Sequence, residues 1–392
     1  MAENKNKTVL ANINTEIAKI VDKKSSIYFF VSDCKNTPNS QSLYIYQMAL
    51  TLKELGYDVC MLYQINNEYS KHELKKLKSS GQPIDQTRVF EGVGEWLGEE
   101  YASIDHMNIA GGMWKVSPSD LLFIPEVFSS LMKETFDKGI PCKRVVILQN
   151  FKYVTEFIPY GDQWGNYGIL DVVASNKNQA DLIESVFPYV NTTVINPYIQ
   201  ECMCKPVVAK KLIVNIAAPM SSDIEHIIKT FYWKYPTLQF VTFRTLKNLP
   251  IDEYAKMLKE GCITIWHDPY TPFGRSALDA IKCGNILIGK VPDIIPEWMM
   301  DDEGKPVDNG IWYSNINDVP DILASVVGTW MRDEIPQKLI DGMDETSKSF
   351  SYDEWKKNVG EFVSNMLENR KNEFTALKNK IEKEMKEEDS NE

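Results

Sequence analysis

The sequence predicts an α/β protein of two doubly wound, Rossmann-like domains facing each other across a cleft, with a C-terminal helix returning to the first domain. Three observations carry this expectation. Short apolar runs alternate with longer amphipathic ones from Ser26 onward, the same alternation restarts near Lys205 after an aperiodic stretch, and 392 residues suffice for two cores of ordinary size.

Residues 1–25 read as an N-terminal extension. In the first domain, 26–200, "IYFFVS" is the opening strand. A helix with Ile45, Met48, Ala49 and Leu52 on one face follows, and "DVCMLY" is the next strand, the order that builds a parallel sheet. Further strands are "DLLFIP", "RVVILQ", "DVVAS" and "TTVINP", with a helix over 179–186 between the last two. Residues 64–119 read as a polar helical stretch, "INNEYSKHELKKLKSSGQ", and then an irregular one with a Gly pair, and are not assigned in detail.

The second domain, 205–350, opens with the strand "LIVNIA". Ser222 followed by Glu225 reads as a capping box for a helix with Ile224, Ile227, Ile228 and Phe231 on one face. The strand "LQFVTF", a helix around 254–258, and the strands "ITIW" and "NILIG" complete it. The tail, 351–392, is charged and helical. Its Phe362, Met366, Phe374, Leu377, Ile381 and Met385 recur at mixed spacings, which predicts a long helix crossing back onto the first domain rather than a heptad-based coiled-coil dimer.

A net charge of −12 argues against broad contact with a nucleic-acid backbone. Seven cysteines, an odd number mostly in apolar settings, suit reduced thiols, and Cys202 with Cys204 lacks the second pair or histidine of a metal site. There is no apolar run of the roughly 20 residues a bilayer requires, and the N-terminus has no signal-peptide pattern, so the expected location is cytoplasmic.

Chemistry concentrates in "WHDPYTPFGRSALDAIKCGNILIG". Residues 263–266 read as a buried strand, Pro269 and Pro272 forbid helix, and Gly274 permits a tight turn into a helix starting near Arg275. The first turn of that helix offers free N–H groups to phosphate, Arg275 adds a charged fork, and Asp279 lies on the same face, suited to ribose hydroxyls. An ordinary strand–turn–helix with Ala277, Ile281 and Cys283 in the core is the alternative reading.

"PFGRSALDAIKCGNILIG" resembles the donor-site motif of retaining, nucleotide-sugar-dependent glycosyltransferases of the GT-B fold (group 1, family 4-like), where a Pro-Phe-Gly turn lies between two acidic residues. The resemblance extends to "DLLFIPE", "VVILQN", "VVASNKNQADLI", "VINPYI" and, more weakly, "DNGIWYSNINDVPDILASVV". It implies donor contacts from Thr271, Phe273, Gly274, Arg275, Ser276 and Asp279. Thr271 stands where the family has a sugar-contacting acid, and Asp279 where it has a ribose-contacting one. The family's Gly-Arg pair and following Lys, which neutralise the diphosphate, have no counterpart in "NIAAPMSSDIEH". That role passes to Arg275, to Arg244 or Lys247, and to the helix start at Ser222.

In the first domain, Glu126 and Asn150 follow apolar strands and are candidates for acceptor, sugar or catalytic contacts, with Glu126 equally readable as an early-turn helix residue. His106 and His267 lie near cleft segments, and His267 joins the catalytic candidates. The implied activity is sugar transfer from a nucleoside diphosphate sugar to an unidentified acceptor with retention, using no cofactor and no metal. Two alternatives stand beside it: an inactive binding or scaffold protein of the same fold, and an enzyme that glycosylates DNA.

Overall fold

A computed structural model describes residues 2–112, 114–301 and 303–390, those before 12 and after 383 by backbone alone. Seven strands form the first sheet: β1 (Ser26–Phe30), β2 (Asp58–Tyr63), β3 (Asp105–Asn108), β4 (Leu121–Pro125), β5 (Lys143–Leu148), β6 (Asp171–Ala174) and β7 (Asn191–Val194). Five form the second: β8 (Lys211–Ala217), β9 (Thr242–Thr245), β10 (Gly261–Trp266), β11 (Ile286–Lys290) and β12 (Ile311–Tyr313). The orders are β3-β2-β1-β4-β5-β6-β7 and β12-β11-β10-β8-β9, with neighbouring strands parallel throughout.

Central strands β4 and β10, and β5 from Val145 onward, are almost wholly apolar because helices cover both faces of a parallel sheet. Strand order reverses between β1 and β4 in the first sheet and between β8 and β10 in the second. Such switch points open a crevice at the carboxyl ends of the strands, and the Pro-Phe-Gly turn follows β10 directly.

Two local expectations are corrected. β9 begins at Thr242, four residues beyond the expected start, because Pro236 opens a 3-10 turn and the Val241 N–H donates to the Leu238 carbonyl. The capping box at Ser222 is absent. Helix Ser221–Lys234 starts two residues earlier, with Met220 at the cap position and no side-chain cap, while Glu225 pairs with Lys229. In the unassigned stretch, β3 is a four-residue edge strand whose polar face hides it from a reading by hydrophobic period. Asn39 and Asn176 supply true side-chain caps, to helices Ser40–Glu54 and Lys177–Val186.

The C-terminal helix, Tyr352–Ser390, returns to the first sheet and buries Trp355, Val359, Phe362 and Val363 in its core. The N-terminal residues, expected only as an extension, form helix Ala2–Asp22, which packs along this tail. Ile17 and Ile381 are buried, and the Asn14 amide donates to Glu382 at 3.3 Å. On the expected apolar face Leu377 is exposed, and the side chain of Met385 lies outside the described residues. Among the described residues no helix is long and apolar enough to cross a membrane.

Trp355 anchors the return. Its indole N–H donates to Thr51 Oγ1 at 2.8 Å and its ring meets Tyr44 edge-on at 5.2 Å. Trp355→Ala should lower stability by roughly 3–5 kcal/mol in denaturant unfolding. Leu377→Ala, at an exposed position of the same helix, should change it by no more than about 0.5 kcal/mol.

Candidate functional site

The turn after β10 is shaped by two tryptophans. Gly274 sits in the left-handed region at φ 71°, and a Cβ there would lie 3.0 Å from Trp298 and 3.2 Å from Trp266. Both the backbone and the space therefore demand glycine. Trp298 Nε1 donates to the Phe273 carbonyl at 2.7 Å, and Phe273 itself packs edge-on against Phe350. Helix Arg275–Lys282 follows, with Ala277, Ile281 and then Cys283 buried against the sheet, so the core-packing reading holds for that face.

Groups from the first sheet's loops clasp this turn. Asn150 Nδ2 donates to the Tyr270 carbonyl at 3.1 Å, and Asn176 Nδ2 donates to the Pro272 carbonyl at 3.2 Å. Arg275 donates to Gln47 Oε1 at 2.8 Å. Beside them, Glu297 accepts from the Lys177 N–H and from the Asn196 amide.

Arg275 Nη2, Gln47 Nε2, Ser175 Oγ and Glu297 Oε2 in this seam are buried without a partner. Burial pushes the Asp279 carboxyl up to about 6, against the pull of the nearby Arg275 guanidinium and of the Tyr254 hydroxyl beside it. Ser276, in the same first turn, is partly exposed. Thr271 carries no charge, yet its hydroxyl donates to the carboxylate of Asp268, which also accepts the Tyr270 N–H at 3.1 Å. An acid therefore stands beside Thr271 although not at it.

A second cluster lies at the ends of β8, β10 and β11. The uncapped first turn of helix Ser221–Lys234 follows β8. Lys247 reaches the Pro219 carbonyl at 3.1 Å, and Lys290, at the end of β11, reaches the Ser314 carbonyl at 2.6 Å. His267 is held between the Tyr313 hydroxyl at 2.7 Å and Asp223 at 3.4 Å, and burial lowers its pKa, with Asp223 opposing.

Other expected residues are placed elsewhere. Arg244 pairs with Glu260 at 2.9 Å and donates to Asn215 and the Met257 carbonyl, which ties it to helix Ile251–Glu260 rather than to the turn. His106 is bonded to the Tyr46 hydroxyl at 2.9 Å on the edge side of the first sheet. Glu126 is fully buried at the end of β4, where Oε1 accepts the N–H groups of Gln149 and Asn150 at 3.1 and 2.8 Å and Oε2 has no partner. It thereby fixes Asn150, and Asn150 fixes the turn.

Between the two sheets lies a cavity of about 310 Å³, walled by Gln41, Gln149, Asn150, Ser175, Thr271 and Arg275 among others. A larger one of about 720 Å³ is walled by Glu54, Glu95, Glu99, Glu100, Glu201 and Asp252, a field that repels phosphate. Among the described residues no group of three or more His, Cys, Asp or Glu is placed to hold a metal ion.

No family model and no curated protein matches the chain. Solved structures do. Sucrose-phosphate synthase from Thermosynechococcus elongatus is 11% identical and superposes with a TM-score of 0.58 over 88% of this chain and 100% of that one. The pneumococcal O-GlcNAc transferase GtfA, solved with UDP and GlcNAc, is 9% identical with a TM-score of 0.58 over 88% and 99%. Anabaena HepE, solved with UDP, is 12% identical with a TM-score of 0.54 over 87% and 100%. The protein has the GT-B fold.

Within this GT-B frame the crevice between the sheets holds both clusters, the clasped turn and the lysine-flanked helix start. Reasoning from sequence missed Lys290, Asp268, Gln47 and Asn176. Lys290 was findable, since it ends an apolar strand. Gln47 was not, because nothing in the middle of a helix announces a partner in the other sheet.

Burial without a cation pushes the Glu126 carboxyl from 4.5 up to about 7. The folded state thus retains a proton that the unfolded chain releases, so stability is highest below about pH 4.5 on this account and falls as pH rises through about 7. Glu126→Gln should flatten that slope. In unfolding measured from about pH 4 to about pH 8, the wild type should lose roughly 3 kcal/mol more than the variant.

Proposed function

We propose that the protein transfers a sugar from a nucleoside diphosphate sugar, bound in the crevice, to an acceptor, with retention at the anomeric carbon. One observation carries this reading. On the helix after the Pro-Phe-Gly turn, Arg275 lines the cavity between the sheets and keeps its buried Nη2 without a partner, at the strand-end crevice where this fold class binds ligands. Native proteins leave few such atoms unpaired, so a ligand or water completes them.

Lys247, Lys290 and the uncapped start of helix Ser221–Lys234 are assigned to the diphosphate, with Arg275 at the sugar side. They take the place of the missing Gly-Arg and Lys. Arg244 drops from the set because Glu260 neutralises it. Asp279 is assigned to the ribose, and Thr271 with Asp268 behind it to the donor sugar. In transfer, the acceptor oxygen bonds to the anomeric carbon as the bond from that carbon to the diphosphate oxygen breaks, and the acceptor proton passes to the departing diphosphate. The chain's part is to position both substrates and stabilise the charge that develops on the leaving group. Glu126, buried behind Asn150, serves as a positioning residue, and His267, held by Tyr313 and Asp223, braces the phosphate side.

A second reading is a binding protein of the same fold that turns over no donor. The uncharged Thr271 favours it. Thermal shift against UDP, GDP, ADP, CMP and their sugar conjugates, followed by donor hydrolysis, separates the two, because a ligand of the native state raises the midpoint. Binding with hydrolysis supports transfer, and binding without it in the presence of every conjugate supports the second reading.

Lys290→Ala should weaken the nucleoside diphosphate roughly 10- to 100-fold, the worth of a hydrogen bond to a charged group. Asp279→Asn should weaken nucleoside diphosphate more than inorganic diphosphate. Equal loss of both in titration calorimetry would remove the ribose contact.

A further inference from the structure

Helix Phe151–Phe157 leaves β5 at the crevice and carries aromatic rings outward from it. Tyr153 lines the 310 Å³ cavity, and its ring lies 6.0 Å from that of Phe157, one turn on. Phe157 is 44% exposed, and Tyr160, in the turn that follows, is fully exposed. Across the crevice Tyr270 is 53% exposed, with the Lys152 ammonium 4.5 Å above its ring. Tyr153 lines the cavity, Phe157 stands beside it, Tyr270 adjoins the lining residue Thr271, and Tyr160 follows Phe157 in the chain, whereas scattered single rings would need no explanation.

The cavity itself is polar. Asn39, Gln41, Gln149 and Asn150 bring side-chain amides to its wall, and Ser175 Oγ, in the same wall and buried, has no partner. Arg275 alone among the lining residues carries a charge, and Asp279 one turn on offsets it. Glu156 and Asp162 neighbour Phe157 and Tyr160 along the chain, and Lys152 is already engaged with Tyr270. Rings beside amides and a free hydroxyl match a molecule with flat C–H faces and a hydroxylated edge. A single nucleic-acid strand also stacks on aromatic rings, but it needs cations along its backbone, and this rim offers carboxylates. An apolar helix or lipid would require an apolar floor.

We propose that this rim binds a neutral oligosaccharide, with its terminal sugar in the cavity beside Thr271 and the preceding sugars stacked on Tyr153, Phe157 and Tyr160. Calling that saccharide the acceptor rests on the glycosyl-transfer reading; the binding site itself does not. As acceptor, its terminal hydroxyl supplies the oxygen that bonds to the anomeric carbon and the proton that leaves with the diphosphate.

The test is saturation-transfer NMR on the full chain with maltohexaose, cellohexaose, chitohexaose and mannohexaose at millimolar concentration, beside a twelve-nucleotide single-stranded DNA. The variant is Phe157→Ser with Tyr160→Ser, both at exposed positions whose loss leaves the core intact. At least one hexasaccharide should bind the wild type, and the double variant should weaken it at least tenfold while the nucleotide thermal shift stays unchanged. The proposal is overturned if no hexasaccharide binds, if the variant binds as well as the wild type, or if only the DNA binds. Nucleotide binding without saccharide binding sinks this site and spares glycosyl transfer. Saccharide binding lost in the variant, with no nucleotide shift from any donor, supports the site and sinks glycosyl transfer.

Discussion

Two carbonyls of the turn after β10, those of Tyr270 and Pro272, end on side-chain amides of the other sheet's loops, Asn150 and Asn176. A buried carbonyl left alone costs about 1–3 kcal/mol, so the two sheets are held at the separation and angle that satisfy both. Much else follows from that seam. Glu126 accepts the Asn150 N–H and sets its orientation, the Asn150 oxygen caps the Lys152 N–H, and Gln47 meets Arg275 on the far side of the turn. The two tryptophans beneath Gly274 close the remaining space. A crevice built this way is preorganised, since its walls are fixed by bonds that no ligand has to supply.

The electrostatics of the crevice differ from those of the chain as a whole. A protein with a net charge of −12 gathers Lys247, Lys290 and an uncapped helix start where phosphate would sit, and keeps the nearby carboxyls of Glu126 and Asp279 buried. Burial raises both carboxyls toward neutrality, which lowers the repulsion they would exert on an anionic ligand. The larger cavity follows the overall charge instead, with carboxylates on its walls. Size alone favours that one, and charge favours the smaller one for an anionic ligand.

Where the apolar pattern is strong, the chain announces its elements. β4, β10 and the last four residues of β5 are almost wholly apolar because both their faces are covered, and such runs are visible without a structure. β3 is an edge strand with polar residues on an uncovered side, and β9 is displaced by a proline-led turn, so both escape a reading by period. The Ser222 and Glu225 spacing matched a capping box, yet the helix begins two residues earlier and turns the same glutamate to Lys229. Local signals of this kind are settled by where the preceding strand delivers the chain.

The site divides the same way. The order of strand, prolines, glycine, Arg275 and Asp279 is a local property, and sequence by itself determined that a tight turn and a helix start would stand at a strand end, within two parallel-sheet units and a returning tail. Only the tertiary structure decided which charges stand near that place. Arg244 was drawn away by Glu260, Lys290 was brought in from the end of another strand, and Asp268 was set against an uncharged Thr271. The physical reason is that apolar periodicity and backbone propensity act between residues close along the chain, whereas charge pairing and the satisfaction of buried polar atoms act between residues made neighbours by the packing of two sheets, over separations such as that from Gln47 to Arg275.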